Sequence, residues 1–183
     1  MKKSILSAAA LGLLLFNCST SPDPFLIQKD SIGELTTTTQ VKDLETVFKN
    51  DSIVQYKPGS PFTGSIHEIE VFEKGGKKLL TLTPSKLQDS TAVIKTVQVL
   101  DSRYKTDTDL STLSTFKDIV DHYKISSIDN LINSIVVSVD ELNASFTIDK
   151  MELPSNLRFD MNLHIEASQI PDNANIKYYF LNW

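Results

Sequence analysis

Apolar and polar residues alternate along most of the chain from Phe25 onward, and this pattern predicts β-strands. A spacing of two places one face of a strand in a core and the other in water. The predicted strands lie at 65–83, 92–100, 135–148, 161–168 and 176–183. The first and third of these ranges each hold two strands joined as a hairpin, the first of them turning at Gly75 and Gly76. The alternation is most regular in 161–168.

Two short segments, 41–48 and 116–123, have helical spacing instead. The first follows the threonine run 36–39, which we expect to lead into the helix and to supply its N-cap. The second follows Thr115, and Asp118 three residues later completes a capping-box pattern. Each helix should pack one apolar stripe on the sheet.

Together these elements predict an α+β fold with a mostly antiparallel β-sheet of about seven to nine strands and two short helices. We expect residues 25–183 to form a single β-rich globular domain. In its last strand Ile176, Tyr178 and Phe180 should share the buried face and close the core. The alternative is an exposed aromatic surface that stacks on a sugar or a peptide.

The first 17 residues have the features of a signal peptide. Lys2 and Lys3 precede an apolar stretch from Ile5 to Phe16. This stretch of about a dozen residues is shorter than the roughly 20 that a membrane-spanning helix needs. It is therefore predicted to be removed on export.

The segment Leu15-Phe16-Asn17-Cys18 resembles the lipobox of bacterial lipoproteins, in the looser form similar to that of Bacteroidota. This resemblance implies that a diacylglycerol is attached to the Cys18 thiol and that residues 18–24 form a lipidated tether. Ser19 resembles the sorting signal for the outer membrane, so the domain should face the periplasm from that membrane. The membrane lipid is then the first partner. The alternative is an ordinary secretory signal that happens to end at a cysteine.

Charge and cysteine content narrow the possible partners. The net charge is −5, and loss of Lys2 and Lys3 leaves 16 basic against 23 acidic residues, or −7. Nucleic acid is an unfavourable partner for such a chain, because proteins bind the phosphate backbone mainly through clustered Lys and Arg side chains. Cys18 is the sole cysteine, which excludes a disulfide within the chain and a cysteine metal cluster.

Catalytic and metal-binding motifs are missing from the linear sequence. His164 and Glu166 would share one strand face as half a metal site, but a metal needs three or four converging ligands. Glu68 and Glu70 imitate a glycosidase pair, yet that chemistry needs carboxylates on opposite sides of a substrate.

We expect no catalytic residue, no metal and no cofactor. The function predicted is a non-enzymatic binding or envelope-assembly module with an envelope protein or glycan as partner; the alternative is an envelope hydrolase whose site assembles only in three dimensions.

Three segments resemble a family of enterobacterial lipoproteins of unknown function. They are 31–35 (Ser-Ile-Gly-Glu-Leu), 94–100 and 114–119 (Ser-Thr-Phe-Lys-Asp-Ile), and the resemblance covers about half of the domain. It implies a fold and an envelope location but no activity.

Overall fold

The computed structural model describes residues 23–55 and 68–183. The predicted signal peptide, Cys18 and the first part of the tether lie outside these residues, as does His67. Within them an eight-stranded antiparallel sheet dominates, in the spatial order β4-β5-β6-β7-β11-β10-β9-β8. Its strands are β4 (Asp51–Gln55), β5 (Ile69–Glu73), β6 (Lys78–Pro84), β7 (Ile94–Val99), β8 (Ser127–Asn130), β9 (Ser134–Val139), β10 (Ala144–Asp149) and β11 (Ile176–Asn182).

A smaller antiparallel sheet and two helices complete the regular structure. The small sheet consists of the two-residue strands β1 (Ile27–Gln28), β2 (Ser31–Ile32) and β3 (Leu35–Thr36). Helix α1 (Leu44–Val47) continues a 3-10 turn at Val41–Asp43, and α2 is Phe116–His122. Further 3-10 turns lie at Lys150–Glu152, Ser155–Leu157 and Ala167–Gln169. The predicted fold class is confirmed, although the pattern did not predict the small sheet, whose strands are too short for a period to show.

The large sheet buries one face and leaves the other in contact with solvent. Strands β9 and β10 alternate strictly between buried and half-buried residues. Their buried side chains join one hydrophobic core with Ile32 of the small sheet, Leu44 of α1 and Ile119 of α2. Antiparallel sheets commonly keep one face solvated in this way. The core thus lies between the sheet and the segments that cross its buried face.

Both predicted hairpins and the second helix are confirmed. Gly75 and Gly76 have positive φ angles in the β5–β6 turn, and Asn143 has one in the β9–β10 turn. At the start of α2 the Asp118 carboxylate accepts a hydrogen bond of 2.7 Å from the Thr115 backbone N–H, as the capping box requires.

The strand predicted at 161–168 is wrong. The segment is a turn followed by extended chain and a 3-10 turn, with Ile165 buried and Met161 exposed. The Asn130 side chain at the end of β8 donates hydrogen bonds to the carbonyls of Asp160 and Leu163, at 3.0 and 2.8 Å. A side chain therefore satisfies backbone groups here, where a strand would need a neighbouring strand.

The last strand is confirmed, but the prediction of its buried face is wrong. Tyr179 is completely buried, whereas 43% of Tyr178 is exposed. Opposite β10 the register shifts, so that Ile176 pairs with Ile148 and Tyr178 with Thr147, which leaves Lys177 as an extra residue. One inserted residue moves every following side chain to the other face of the sheet.

The threonine run 36–39 does not cap the first helix. The Thr39 hydroxyl accepts a hydrogen bond of 3.0 Å from the Thr36 backbone N–H and closes a turn after β3. The residue before the 3-10 turn is Gln40, which makes no side-chain cap. The hydroxyls are used in the turn, and the helix begins without them.

Candidate functional site

A cleft of about 110 Å³ lies where the large sheet meets the small sheet and the end of α1. Its apolar walls include Phe25, Ile32, Phe48 and Leu79. Its polar lining consists of Glu34, Lys49, Asn50, Asp51, Glu73 and Tyr104. The cleft therefore combines an apolar interior with a mostly acidic rim.

Two carboxylates of this cleft face each other across a strand pair. Asp51 begins β4 and lies directly opposite Glu73, which ends β5. Cβ atoms of such pairs are about 4.5 to 5.5 Å apart. Partial burial raises the pKa of Asp51, and the negative charge of Glu73 raises it further.

A glycine allows the N-terminal segment to close the cleft. Gly33 has a φ of +56°, and a Cβ on it would lie 2.3 Å from the carbonyl oxygen of Pro24. Any other residue would push that segment away. Pro24 follows Asp23, whose carbonyl and side chain accept hydrogen bonds from Leu26 and Phe25 at 3.2 and 2.9 Å. Residues 23 and 24, at the end of the predicted tether 18–24, thus form part of a turn.

A buried ion cluster holds one wall of the cleft in place. Asp101, with a side chain 0% exposed, accepts hydrogen bonds from the Arg103 guanidinium at 2.9 and 3.2 Å and pairs with Lys77 at 2.9 Å. Arg103 also reaches Glu73 at 2.7 Å and lies 4.7 Å from the ring centre of Phe25. Burial alone would raise the pKa of Asp101, but these hydrogen bonds outweigh it and hold the pKa well below its usual range.

The cleft contains two further polar groups of interest, the Asp51 carboxylate and the Tyr104 hydroxyl. Burial and the charge of Glu73 raise the pKa of the Asp51 carboxyl, and the positive charges of Lys74 and Arg103 lower it, so cations already lie near this carboxylate. Tyr104 is only 3% exposed, and its ring packs edge-on against Phe25 with the ring centres 5.0 Å apart. Burial raises the pKa of Tyr104, and the charge of Asp51 adds to this. Among the described residues, the buried side-chain atoms without a hydrogen-bond partner are Asn130 Oδ1, Lys150 Nζ and the Tyr179 hydroxyl, and none of these residues lines the cleft.

The residues considered from the sequence lie elsewhere. His164 Nε2 is 3.0 Å from Glu166 Oε1, but the two side chains are 81% and 65% exposed in a loop. In 23–55 and 68–183 no group of three or more His, Cys, Asp or Glu is placed to hold a metal. Glu70 binds Lys78 on the open sheet face, and Glu68 is exposed outside the strand. No glycosidase-like pair forms between these two glutamates.

Sequence reasoning missed Asp51, Glu73 and Tyr104. They come from β4, the end of β5 and a loop after β7, and the pairing of β4 with β5 brings the two acids together. The linear sequence carries no signal for that pairing, because 13 residues separate the end of β4 from the start of β5, which is too long for the short-turn pattern of a hairpin.

The open sheet face carries the aromatic pair Tyr178 and Phe180, with ring centres 6.3 Å apart. Because β11 alternates, it places Tyr179 and Leu181 in the core and this pair on the outside. The strand is therefore structural and still presents aromatic rings to solvent.

A wider groove of about 450 Å³ is lined by residues such as Val41, Leu44 and Ile53. It borders Gln55, where the described range ends. It is more open than the cleft and has no pair of facing carboxylates in its lining, so it is a weaker candidate.

The described ranges contain no helix that is long and apolar enough to cross a bilayer.

Comparison with known proteins finds a shared fold. No protein-family profile matches the sequence, and no curated protein matches it. The crystal structure of the uncharacterized protein yfeY from Escherichia coli is similar over 86% of this chain and 99% of that chain, with a TM-score of 0.53 and 13% sequence identity. This chain is therefore similar in fold to an uncharacterized bacterial protein.

Proposed function

We propose that this chain is a lipid-anchored lipoprotein of the bacterial outer membrane, facing the periplasm, and that it acts as a non-enzymatic binding module. The observation that carries the binding role is the cleft itself, which combines apolar walls with the side chains of Asp51, Glu73 and Tyr104. A ligand with an apolar part and hydrogen-bond donors would match this lining. The fold shared with a bacterial protein supports a bacterial origin.

The proposed anchor would keep the cleft close to the membrane. Pro24 lines the cleft and lies six residues after Cys18. An extended chain spans at most about 3.3–3.6 Å per residue, so six residues reach roughly 20 Å. A lipidated Cys18 would therefore hold the cleft within that distance of the bilayer surface, within reach of ligands at the membrane.

Replacement of the lipidated cysteine tests the anchor. We expect the wild-type protein in the membrane fraction, with an intact mass raised by acylation, and Cys18→Ser in the soluble fraction. Two or more acyl chains make membrane attachment stable, whereas the polar tether alone does not. A wild-type protein that is soluble, carries a free thiol and fractionates like Cys18→Ser would rule out the anchor.

An envelope hydrolase is the second candidate, and the Asp51–Glu73 pair favours it. Glycosidases use two neighbouring carboxyl groups, and a raised carboxyl pKa, as at Asp51, suits a general acid. Against it, Glu73 is engaged by Arg103, and 110 Å³ lies below the roughly 300 Å³ at which ligand pockets begin.

The two candidates predict different turnover. We expect wild-type protein incubated with peptidoglycan to release no new reducing ends above the level of the variants Asp51→Asn and Glu73→Gln. Reducing ends that accumulate with wild-type protein and disappear with both folded variants would establish the hydrolase instead.

A further inference from the structure

We infer that one end of the domain inserts an apolar patch into the surface of the lipid bilayer, so that the domain touches the membrane at a second point besides its anchor. The inference rests on the proposed lipid anchor and goes beyond it, because it concerns the folded domain. The edge patch consists of the exposed side chains of Leu131, Ile132, Met151, Phe159 and Met161.

The side chains of the edge patch come from turns that lie side by side. Phe159 is 88% exposed, and Ile132 and Met151 are each 70% exposed. The Asn133 carbonyl in the β8–β9 turn accepts a hydrogen bond of 3.0 Å from the backbone N–H of Lys150, directly before Met151. Single exposed apolar residues are common on protein surfaces, but a cluster of large ones marks an interaction site.

Hydrogen bonds from within the protein satisfy backbone groups of the loop that carries the aromatic ring of the patch. The Asn130 side chain at the end of β8 donates to the carbonyls of Asp160 and Leu163 at 3.0 and 2.8 Å. The Asp160 carboxylate accepts a hydrogen bond of 2.9 Å from the backbone N–H of Asn162. Hydrocarbon offers the backbone no partners, so a loop that enters the edge of a bilayer needs such bonds of its own.

The edge patch and Pro24 lie at the same end of the large sheet. Neighbouring strands are antiparallel throughout the sheet, so β5, β8 and β10 all end on this side. The turns that follow β8 and β10 carry patch residues, and Glu73 at the end of β5 lines the cleft together with Pro24. Pro24 follows Cys18 by six residues. The proposed anchor and the patch therefore belong to one end of the domain.

Two separate contacts with the bilayer would fix the orientation of the domain. In the sheet β5 and β9 are five strand spacings apart, or about 24 Å at roughly 4.8 Å each. The tether reaches roughly 20 Å at most, which keeps this end of the sheet near the membrane. A lipidated Cys18 and the edge patch can then touch the bilayer together, with the cleft between them and the membrane.

The shape of the edge patch favours a lipid surface over a protein partner. Protein interfaces need complementary shape around an apolar centre, whereas a bilayer accepts side chains that project singly from turns. Asp160 is exposed between Phe159 and Met161, and its charge keeps the loop from entering the hydrocarbon deeply. The insertion should therefore be shallow, roughly 5–10 Å, as for interfacial helices.

Fluorescence of the lipidated full chain tests the contact. Cys18 is the sole cysteine and would be blocked by lipid, so the variant Phe159→Cys can be labelled at one position with nitrobenzoxadiazole. Leu87→Cys is the matched control, because Leu87 is 49% exposed and follows β6, which ends on the opposite side of the sheet. In vesicles of phosphatidylethanolamine and phosphatidylglycerol we expect a blue shift of the label at position 159 and none at position 87. A lipid quencher near the headgroup should act on the first label more strongly than one at the end of the acyl chain.

The other outcomes of the labelling experiment contradict the inference. Emission as in water from both labels, in protein that is acylated and bound to the vesicles, would overturn the patch and leave the proposed anchor intact. An equal blue shift at both positions would overturn it as well, since the domain would have no preferred end. A blue shift at position 159 that needs no vesicles and grows with protein concentration would assign the patch to a second copy of this chain instead.

The chain from position 18 onward with Cys18→Ser separates the patch from the anchor. We expect it to bind the same vesicles weakly, and Phe159→Ser in this chain should lower the partition coefficient about tenfold, since burial of one large apolar side chain contributes at least that factor. Leu87→Ser should partition like its parent. Both positions are exposed, so unchanged thermal midpoints are expected.

The partition experiment also tells failure of the inference from failure of the anchor. An unchanged partition coefficient in folded Phe159→Ser would overturn the insertion of the patch. If the wild-type protein carries no acyl chain, the anchor fails, but a loss of partition with Phe159→Ser still supports the patch. A wild-type protein without acyl chains whose Cys18→Ser form does not bind vesicles would overturn both.

Discussion

The variant Tyr179→Ala should lose about 3 to 5 kcal/mol of folding free energy, whereas Tyr178→Ala should lose less than about 1 kcal/mol. Tyr179 is completely buried, and its ring centre lies 4.6 Å from that of Phe146. The neighbouring Tyr178 points to the solvated face and is 43% exposed. Urea unfolding of both variants at neutral pH measures the difference.

Removal of the whole last strand, β11, should destabilise the domain even more than Tyr179→Ala. β11 lies between β7 and β10, so a chain that ends after Asn175 splits the large sheet into two parts. Because a domain is held by about 5 to 15 kcal/mol, we expect this chain to show no cooperative thermal transition. A transition at the wild-type midpoint, or a greater loss with Tyr178→Ala than with Tyr179→Ala, would contradict the observed register.

Replacement of the buried acid in Asp101→Asn should cost about 3 kcal/mol. Its carboxylate accepts the hydrogen bonds of Arg103 and Lys77 and is fully shielded from water. Hydrogen bonds to charged groups contribute about 1.5 to 3 kcal/mol each, and the cations left behind are partly solvated, which limits the loss. Asp172→Asn, at an exposed position, serves as the control, with an expected change below about 0.5 kcal/mol.

The contribution of Asp101 to the free energy of unfolding should decrease as the pH falls. Its pKa is lowered in the folded protein, so the native state binds the proton more weakly than the unfolded chain. The stabilisation is present above the unfolded pKa of about 3.9 and is lost as the pH falls further. The difference in unfolding free energy between wild type and Asp101→Asn should therefore shrink below about pH 4. A difference that stays constant down to pH 2 would show that the charge of Asp101 contributes little.

Much of the fold is local enough to be predicted from the sequence. The alternation in β9 and β10, the glycines of the β5–β6 turn and the Thr115–Asp118 capping box act between residues close along the chain. Such patterns determined the fold class, both hairpins and helix α2. The segment before Cys18 that resembles a lipobox is also a linear motif, and both the motif and the lipidation stay predictions.

Other features required the tertiary structure, because they depend on residues far apart in the chain. The buried face of β11 is decided by a one-residue bulge against β10, and an alternating pattern cannot show where a register shifts. Residues 161–168 alternate without a strand partner, because the side chain of Asn130 bonds their backbone. The cleft exists only where β4 pairs with β5 and Gly33 lets Pro24 approach, since these contacts place Asp51 and Glu73 beside Tyr104.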